Sequence, residues 1–125
     1  MTMSFTLLAS PGTISVAPGG EFHFGGKSHR GALLVSPDGI YDWSAASAGV
    51  DEQSLLAFRD AQNGSASGFL LIGTGPKRRL LPPALVESIE RRGLGLEAMD
   101  TAAACGTYNI LMAENRQFMA ALLPR

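Results

Sequence analysis

The chain has 125 residues, 46% hydrophobic and 17% charged, which suits one folded domain with its own core and excludes a disordered chain. Ten Lys and Arg face eleven Asp and Glu, a net charge of -1 that excludes a dedicated nucleic-acid binder and a polybasic membrane anchor. The single cysteine, Cys105, excludes an internal disulfide and a cysteine-built zinc site.

Met1 to Ala9 has no positive leading segment, and its apolar stretch is short for a signal peptide. No apolar run approaches the roughly 20 residues of a membrane-spanning helix. The expectation is a cytoplasmic protein without membrane insertion, residues 1–125 forming a single domain with no repeat or linker.

Glycine and proline then divide the chain. Ile14 to Val16 and Glu21 to Phe24 flank Pro18-Gly19-Gly20 and predict a hairpin. Gly31 to Ser36 and Ile40 to Trp43 flank Pro37-Asp38-Gly39 and predict a second, with Gly39 supplying the turn's left-handed residue. From Asp51, a plausible N-cap, to Ala61 the apolar spacing becomes helical, and Asn63-Gly64 is its stop. Phe69 to Ile72 is a continuous apolar run, as in a strand buried on both faces.

Pro82-Pro83 opens a second helix, with Leu85 and Ile89 on one face and Gly93 after its end. Leu94 to Met99 is a strand. Asp100 or Thr101 caps a third helix that runs through Ala113, with Asn115 as a left-handed stop. Phe118 to Leu123 is the last strand. Strand, helix, strand, helix, strand predicts three parallel strands. The expected fold class is therefore α/β: a three-layer domain whose mixed sheet combines this parallel half with antiparallel N-terminal hairpins.

Several of these residues together resemble a known family. They are Gly73-Thr74-Gly75 after a buried strand, Leu81-Pro82-Pro83, Met99-Asp100-Thr101, Ala104, Thr107-Tyr108-Asn109, Leu111, Glu114 and Arg116. In this order they resemble the domain-of-unknown-function family four-nine-eight, also called Mth nine-three-eight-like, over roughly residues 20 to 123. Many relatives carry Glu-Gly-Arg where this chain has Glu114-Asn115-Arg116; Asn preserves the left-handed turn. The resemblance implies a three-layer α/β fold and no established catalytic residues. A mitochondrial member assembles respiratory complex I, so the implied partner is another protein, of a membrane respiratory complex.

The residues themselves mark one candidate site. In open α/β sheets ligands bind beyond the carboxyl ends of strands. Gly73, Thr74 and Gly75 follow one such strand and lead into Lys77, Arg78 and Arg79, while Asp100 and Thr101 follow its parallel neighbour. A small anion held there, by the free N–H groups of the third helix, is the functional reading; a tight turn, a cap and a solvated basic loop are the structural one. Thr107, Tyr108, Asn109 and Arg116 are candidates for a polar network tying the third helix to the sheet, or for pocket-lining groups. Cys105 is either a small buried hydrophobe or a thiol activated by the helix end.

Gly20 to Ser28 contains glycines and Lys27-Ser28 but lacks the spacing of a phosphate loop, and it precedes a strand. His23 alternates with Phe22 and Phe24 and should face solvent. His23 and His29 lack the carboxylate partners of a metal site apart from Glu21, so no metal, cofactor or catalytic residue is assigned. Tyr41 and Trp43 are either core or a partner-binding patch. The expected function is a non-enzymatic interaction or assembly module related to respiratory complexes. The alternative is a small-anion or small-ligand binding protein or enzyme using the Gly73-Thr74-Gly75 crevice.

Overall fold

The computed structural model describes residues 5–46, 49–62 and 68–125. In chain order its elements are β1 (Leu7–Ala9), β2 (Ser15–Val16), β3 (Phe22–Phe24), β4 (Lys27–His29), β5 (Leu33–Ser36), β6 (Gly39–Asp42), a 3-10 turn (Ser44–Ala46), α1 (Glu52–Ala61), β7 (Phe69–Gly73), α2 (Pro83–Arg91), β8 (Gly95–Met99), α3 (Thr101–Ala113) and β9 (Met119–Leu122). The main sheet has six strands in the order β1-β6-β5-β9-β7-β8. β7 runs parallel to β8 and β9, whereas β5 is antiparallel to β6 and β9, and β1 to β6. This is the mixed α/β sheet expected, with the three parallel strands side by side.

The pleat sends alternate residues to opposite faces. Leu34, Leu70, Ile72 and Ala121 meet Leu55 and Phe58 of α1 and Leu85 and Ile89 of α2. Leu33, Val35, Leu71, Ala120 and Leu122 meet Ala104, Cys105 and Tyr108 of α3, together with Ile14, Phe22 and Phe24. Burial on both faces explains the unbroken apolar run of β7, and each fully buried Leu or Ile contributes roughly 1.5–3 kcal/mol.

The N-terminal half departs from expectation in three places. The first hairpin does not join the main sheet: β2, β3 and β4 form a separate three-stranded sheet. Phe22 and Phe24 are buried and His23 between them is exposed, so the small sheet serves as a cover beside α3. Its β3–β4 turn is Gly25-Gly26, with φ of +55° and +76°. Left-handed conformation at both central positions is the geometry that two-residue hairpins favour. The glycine-rich segment 20–28 is thus a hairpin and not a phosphate loop.

The second departure concerns the second hairpin. Gly39 pairs with Ser36 and belongs to β6, leaving Pro37-Asp38 as the turn. A Cβ on Gly39 would lie 2.6 Å from Leu7 Cδ1 and 2.8 Å from the Ala9 carbonyl oxygen, so this glycine makes room for β1. The third departure is β1 itself, a short irregular edge strand whose Leu7 is exposed.

The helix ends follow local chemistry. Asp51 accepts a hydrogen bond from the Ser54 N–H at 2.9 Å, and Asp100, rather than Thr101, accepts from the Ala103 N–H at 2.9 Å. Gly93 after α2 and Asn115 after α3 adopt left-handed φ, at +84° and +57°. The expected stop Asn63-Gly64 and the link from Ser65 lie outside the described residues. Trp43 is core: it is buried, and its Nε1–H donates to Ser54 Oγ at 2.6 Å. Tyr41, half-buried, packs its ring edgewise on Phe58.

Candidate strand-end site and adjoining groove

Because β7, β8 and β9 run the same way, their trailing ends meet on one rim. Gly73-Thr74-Gly75, Asp100-Thr101 and Leu123-Pro124 converge there, as the spacing of elements predicted. The Thr74 N–H donates to the Met99 carbonyl at 2.8 Å, and the Leu123 N–H to the Gly73 carbonyl at 3.0 Å. Thr101 is fully buried between them. Its hydroxyl donates to the Leu123 carbonyl at 2.6 Å and accepts from the Gly75 N–H at 2.8 Å, while its own N–H donates to the Gly75 carbonyl at 2.9 Å.

This geometry fills the crevice in which an anion was expected. A Cβ on Gly73 would stand 2.9 Å from Thr101 Oγ1 and 3.1 Å from Thr101 Cα, so Gly73 admits the helix start and not a ligand. Three of the N–H groups at the start of α3 are engaged as well: Thr101 with Gly75, Ala103 with the Asp100 carboxylate and Ala104 with the Asp100 carbonyl. Thr74 is also buried. Its hydroxyl accepts from the Arg79 N–H at 3.1 Å and donates to the Lys77 carbonyl at 2.8 Å, with the Met99 carbonyl at 3.1 Å, and so shapes the loop that follows.

Lys77 and Arg78 do not turn inward. They and Arg79 are exposed, and among the described residues the side-chain ion pairs and hydrogen bonds form elsewhere. On the far side of the Thr74–Gly75 turn from α3, the same loop borders an open groove of about 500 Å³. Val50, Leu80, Leu81, Pro82, Leu123 and Pro124 line it, with Arg79 at its lip. The sequence reading missed this groove. Its signal was Leu80-Leu81, an apolar pair lying outside any element between the basic run and Pro82-Pro83.

The second candidate group divides. Asn109 forms a two-pronged bond with the backbone of Ile14, accepting from its N–H and donating to its carbonyl, both at 2.9 Å. The Tyr108 hydroxyl donates to the Gly12 carbonyl at 2.9 Å. These side chains tie α3 to the segment leading into β2, not to the main sheet as expected. Thr107 Oγ1 donates to the Met99 sulfur, at 3.4 Å. Arg116 is exposed and stands outside the network; its backbone N–H, bonded to the Leu111 carbonyl, helps close the end of α3.

Cys105 is buried, and burial pushes its thiol up to about 11, which removes the helix-end activation considered for it. His23 lies 3.7 Å from Glu21, and His29 Nε2 3.0 Å from Asp42 Oδ1. Among the described residues no three His, Cys, Asp or Glu side chains gather as metal ligands, and no helix is long and apolar enough to cross a membrane.

With this geometry in hand, comparison with known proteins is informative. The chain is 34% identical over 121 residues to the NADH dehydrogenase [ubiquinone] 1 alpha subcomplex assembly factor 3 of Danio rerio, covering 93% of this chain and 67% of the relative. It is 37% identical over 105 residues to an uncharacterised protein of Rhodobacter capsulatus, covering 84% and 78%. It spans only about half the length of other assembly factors of that name, 56% in Xenopus tropicalis and 50% in Mus musculus.

Solved structures agree on the fold. A crystal structure of an outer membrane protein from Bartonella henselae superposes with a TM-score of 0.74 at 31% identity, covering 97% of this chain and 98% of that one. A Mth938-like domain from Bordetella pertussis gives 0.65 at 29%, covering 95% and 92%. The model of the family described as a protein of unknown function, DUF498/DUF598, matches residues 14–123, from the entry into β2 to the end of β9. The chain belongs to the DUF498/DUF598 family, whose Mth938-like fold it shares.

Proposed function

We propose that this chain is a non-enzymatic assembly module that holds a subunit of a membrane-bound NADH dehydrogenase during its construction, working from the cytoplasm. The observation that carries this reading is the 34% identity to the Danio rerio assembly factor, extending over 93% of the chain. The rim supports it. Polar groups that would receive a substrate are engaged within the chain: Gly75 with Thr101, the Gly73 carbonyl and the Thr101 hydroxyl with Leu123, the Thr74 hydroxyl with Lys77, and the Asp100 carboxylate with Ala103. The thiol of Cys105 is buried and held in its protonated form. The small-anion alternative has no comparable support, and the N–H groups of Thr101, Ala103 and Ala104 at the helix start are already engaged.

The test is removal of the gene from the organism that makes the protein. Native gels of its membranes should show a loss of assembled NADH dehydrogenase with accumulation of a subcomplex. Re-expression of the chain should restore assembly. Unchanged assembly in the deletion strain overturns the proposal.

A further inference from the structure

The groove beside the β7–α2 loop has the composition of a protein interface rather than of a small-molecule pocket. Small-ligand sites place a few convergent polar groups among apolar walls. Here the polar atoms nearest the floor, those of Thr74 and Gly75, are consumed by the rim. Among the described residues no buried side-chain polar atom is left without a partner to receive a ligand. The walls offer apolar contact from Val50, Leu81, Pro82, Leu123 and Pro124. Leu80, 89% exposed, extends that apolar surface into solvent. An apolar centre with a charged rim is the usual anatomy of a protein–protein contact.

Of the charged side chains only Arg79 lines the groove, and the two residues before it in the loop are also cations. Lys77, Arg78 and Arg79 are consecutive and exposed, and the ion pairs among the described residues form elsewhere. On a chain of net charge -1, this concentration of uncompensated cations beside an apolar groove selects its complement. We infer that the groove formed by Val50, Leu80, Leu81, Leu123 and Pro124 docks an acidic segment of a partner protein, its apolar side chains in the groove and its carboxylates on Lys77, Arg78 and Arg79. An anionic membrane is the less suitable occupant. Polybasic lipid sites use about four to eight cations, and a concave groove fits a protein segment better than a bilayer plane.

The inference rests on the assembly reading for the kind of partner, but its test separates the two. A photo-crosslinking p-benzoylphenylalanine at position 80, with position 110 on the exposed face of α3 as control, is expressed in the native organism. Mass spectrometry should map the position-80 crosslink to one acidic, apolar segment that the control does not capture. That segment, made as a synthetic peptide, should bind the intact protein. Its affinity should fall about tenfold or more in the K77E/R78E/R79E variant, and also fall as salt is raised.

No crosslink, a crosslink between two copies of this chain, or equal binding by the charge-reversed variant overturns the inference. So does co-sedimentation with vesicles of phosphatidylserine and phosphatidylcholine that depends on Leu80. A crosslink to an acidic segment of a protein unrelated to NADH dehydrogenase upholds the groove and overturns the assembly reading. Subunits of the complex co-purifying equally with wild-type and charge-reversed chains do the opposite.

Discussion

The two sides of the Thr74–Gly75 turn differ sharply although the same strand end supplies both. Toward α3, the Thr101 side chain fills the space, and the Gly75 N–H, the Thr101 N–H and the Thr101 hydroxyl find acceptors within the chain. Toward α2, apolar side chains flank an open groove, with exposed Arg79 bordering it and exposed Lys77 and Arg78 just before it in the chain. A strand-end rim is a frequent place for ligands in α/β proteins, but position alone confers no binding capacity. Capacity depends on which groups remain uncommitted once the backbone and the helix start have satisfied one another. The closed side is structure, and the open side is the surface left for a partner.

The largest expected effect tests the closed side. Thr101→Val keeps the shape but removes the hydroxyl that joins Gly75 to Leu123. It strands a buried N–H and a carbonyl, at about 1–3 kcal/mol each. Urea unfolding should show a loss of about 2–6 kcal/mol by the same reasoning. A loss below about 0.5 kcal/mol, the range of neutral surface changes, would mean that the rim is not held by this residue.

Asn109→Ala should cost less, about 1–2 kcal/mol, by breaking the two-pronged bond to Ile14 at a half-buried site. Because that bond joins α3 to the segment before β2, hydrogen exchange should accelerate at Ile14 before it does in β7. Unchanged thermal stability would show that the small sheet is held by Phe22 and Phe24 alone.

A smaller effect is expected with pH. Burial raises Cys105 from 9.0 to about 11, and raises Tyr108 from 10.0 to about 12 despite an opposing hydrogen bond to Gly12. In both cases the fold favours the protonated, neutral form. Above about pH 9 the unfolded chain loses these protons first and binds fewer than the native chain, so stability falls with rising pH. The contribution is complete below pH 9 and is lost as pH rises through the folded values. Denaturant midpoints between pH 8 and 11 should decline, and less steeply in Cys105→Ala. A flat profile would place α3 in a wetter environment than its packing indicates.

The smallest stability effect belongs to the open side. K77E/R78E/R79E should change unfolding free energy by no more than about 0.5 kcal/mol, since exposed charges without partners contribute little. A larger loss would mean that the basic loop also serves the fold. The contrast between the two sides of the turn would then weaken.

Much of the architecture is visible before folding because it depends on neighbours in the chain. Asp51, Gly93, Asp100 and Asn115 end or begin helices through bonds and φ values set within a few residues. The run Phe69 to Ile72 marks a doubly buried strand. The alternation of strands and helices after it implies three parallel strands and one shared rim. The same reasoning places His23 outward between two buried phenylalanines.

What only the tertiary structure decided involves segments far apart in sequence. Pattern and spacing do not announce that β9 inserts between β5 and β7, that β2 to β4 leave the main sheet, or that Gly39 serves β1 rather than its own turn. Nor does local sequence reveal that Thr101 reaches Gly75 and Leu123 and closes the expected crevice, or that Val50, Leu80 and Leu123 border one groove. Caps and periodicities are energies of adjacent residues, written in short windows of sequence. The filling of a site is a matter of volume and hydrogen-bond accounting among residues that become neighbours only when the chain has folded.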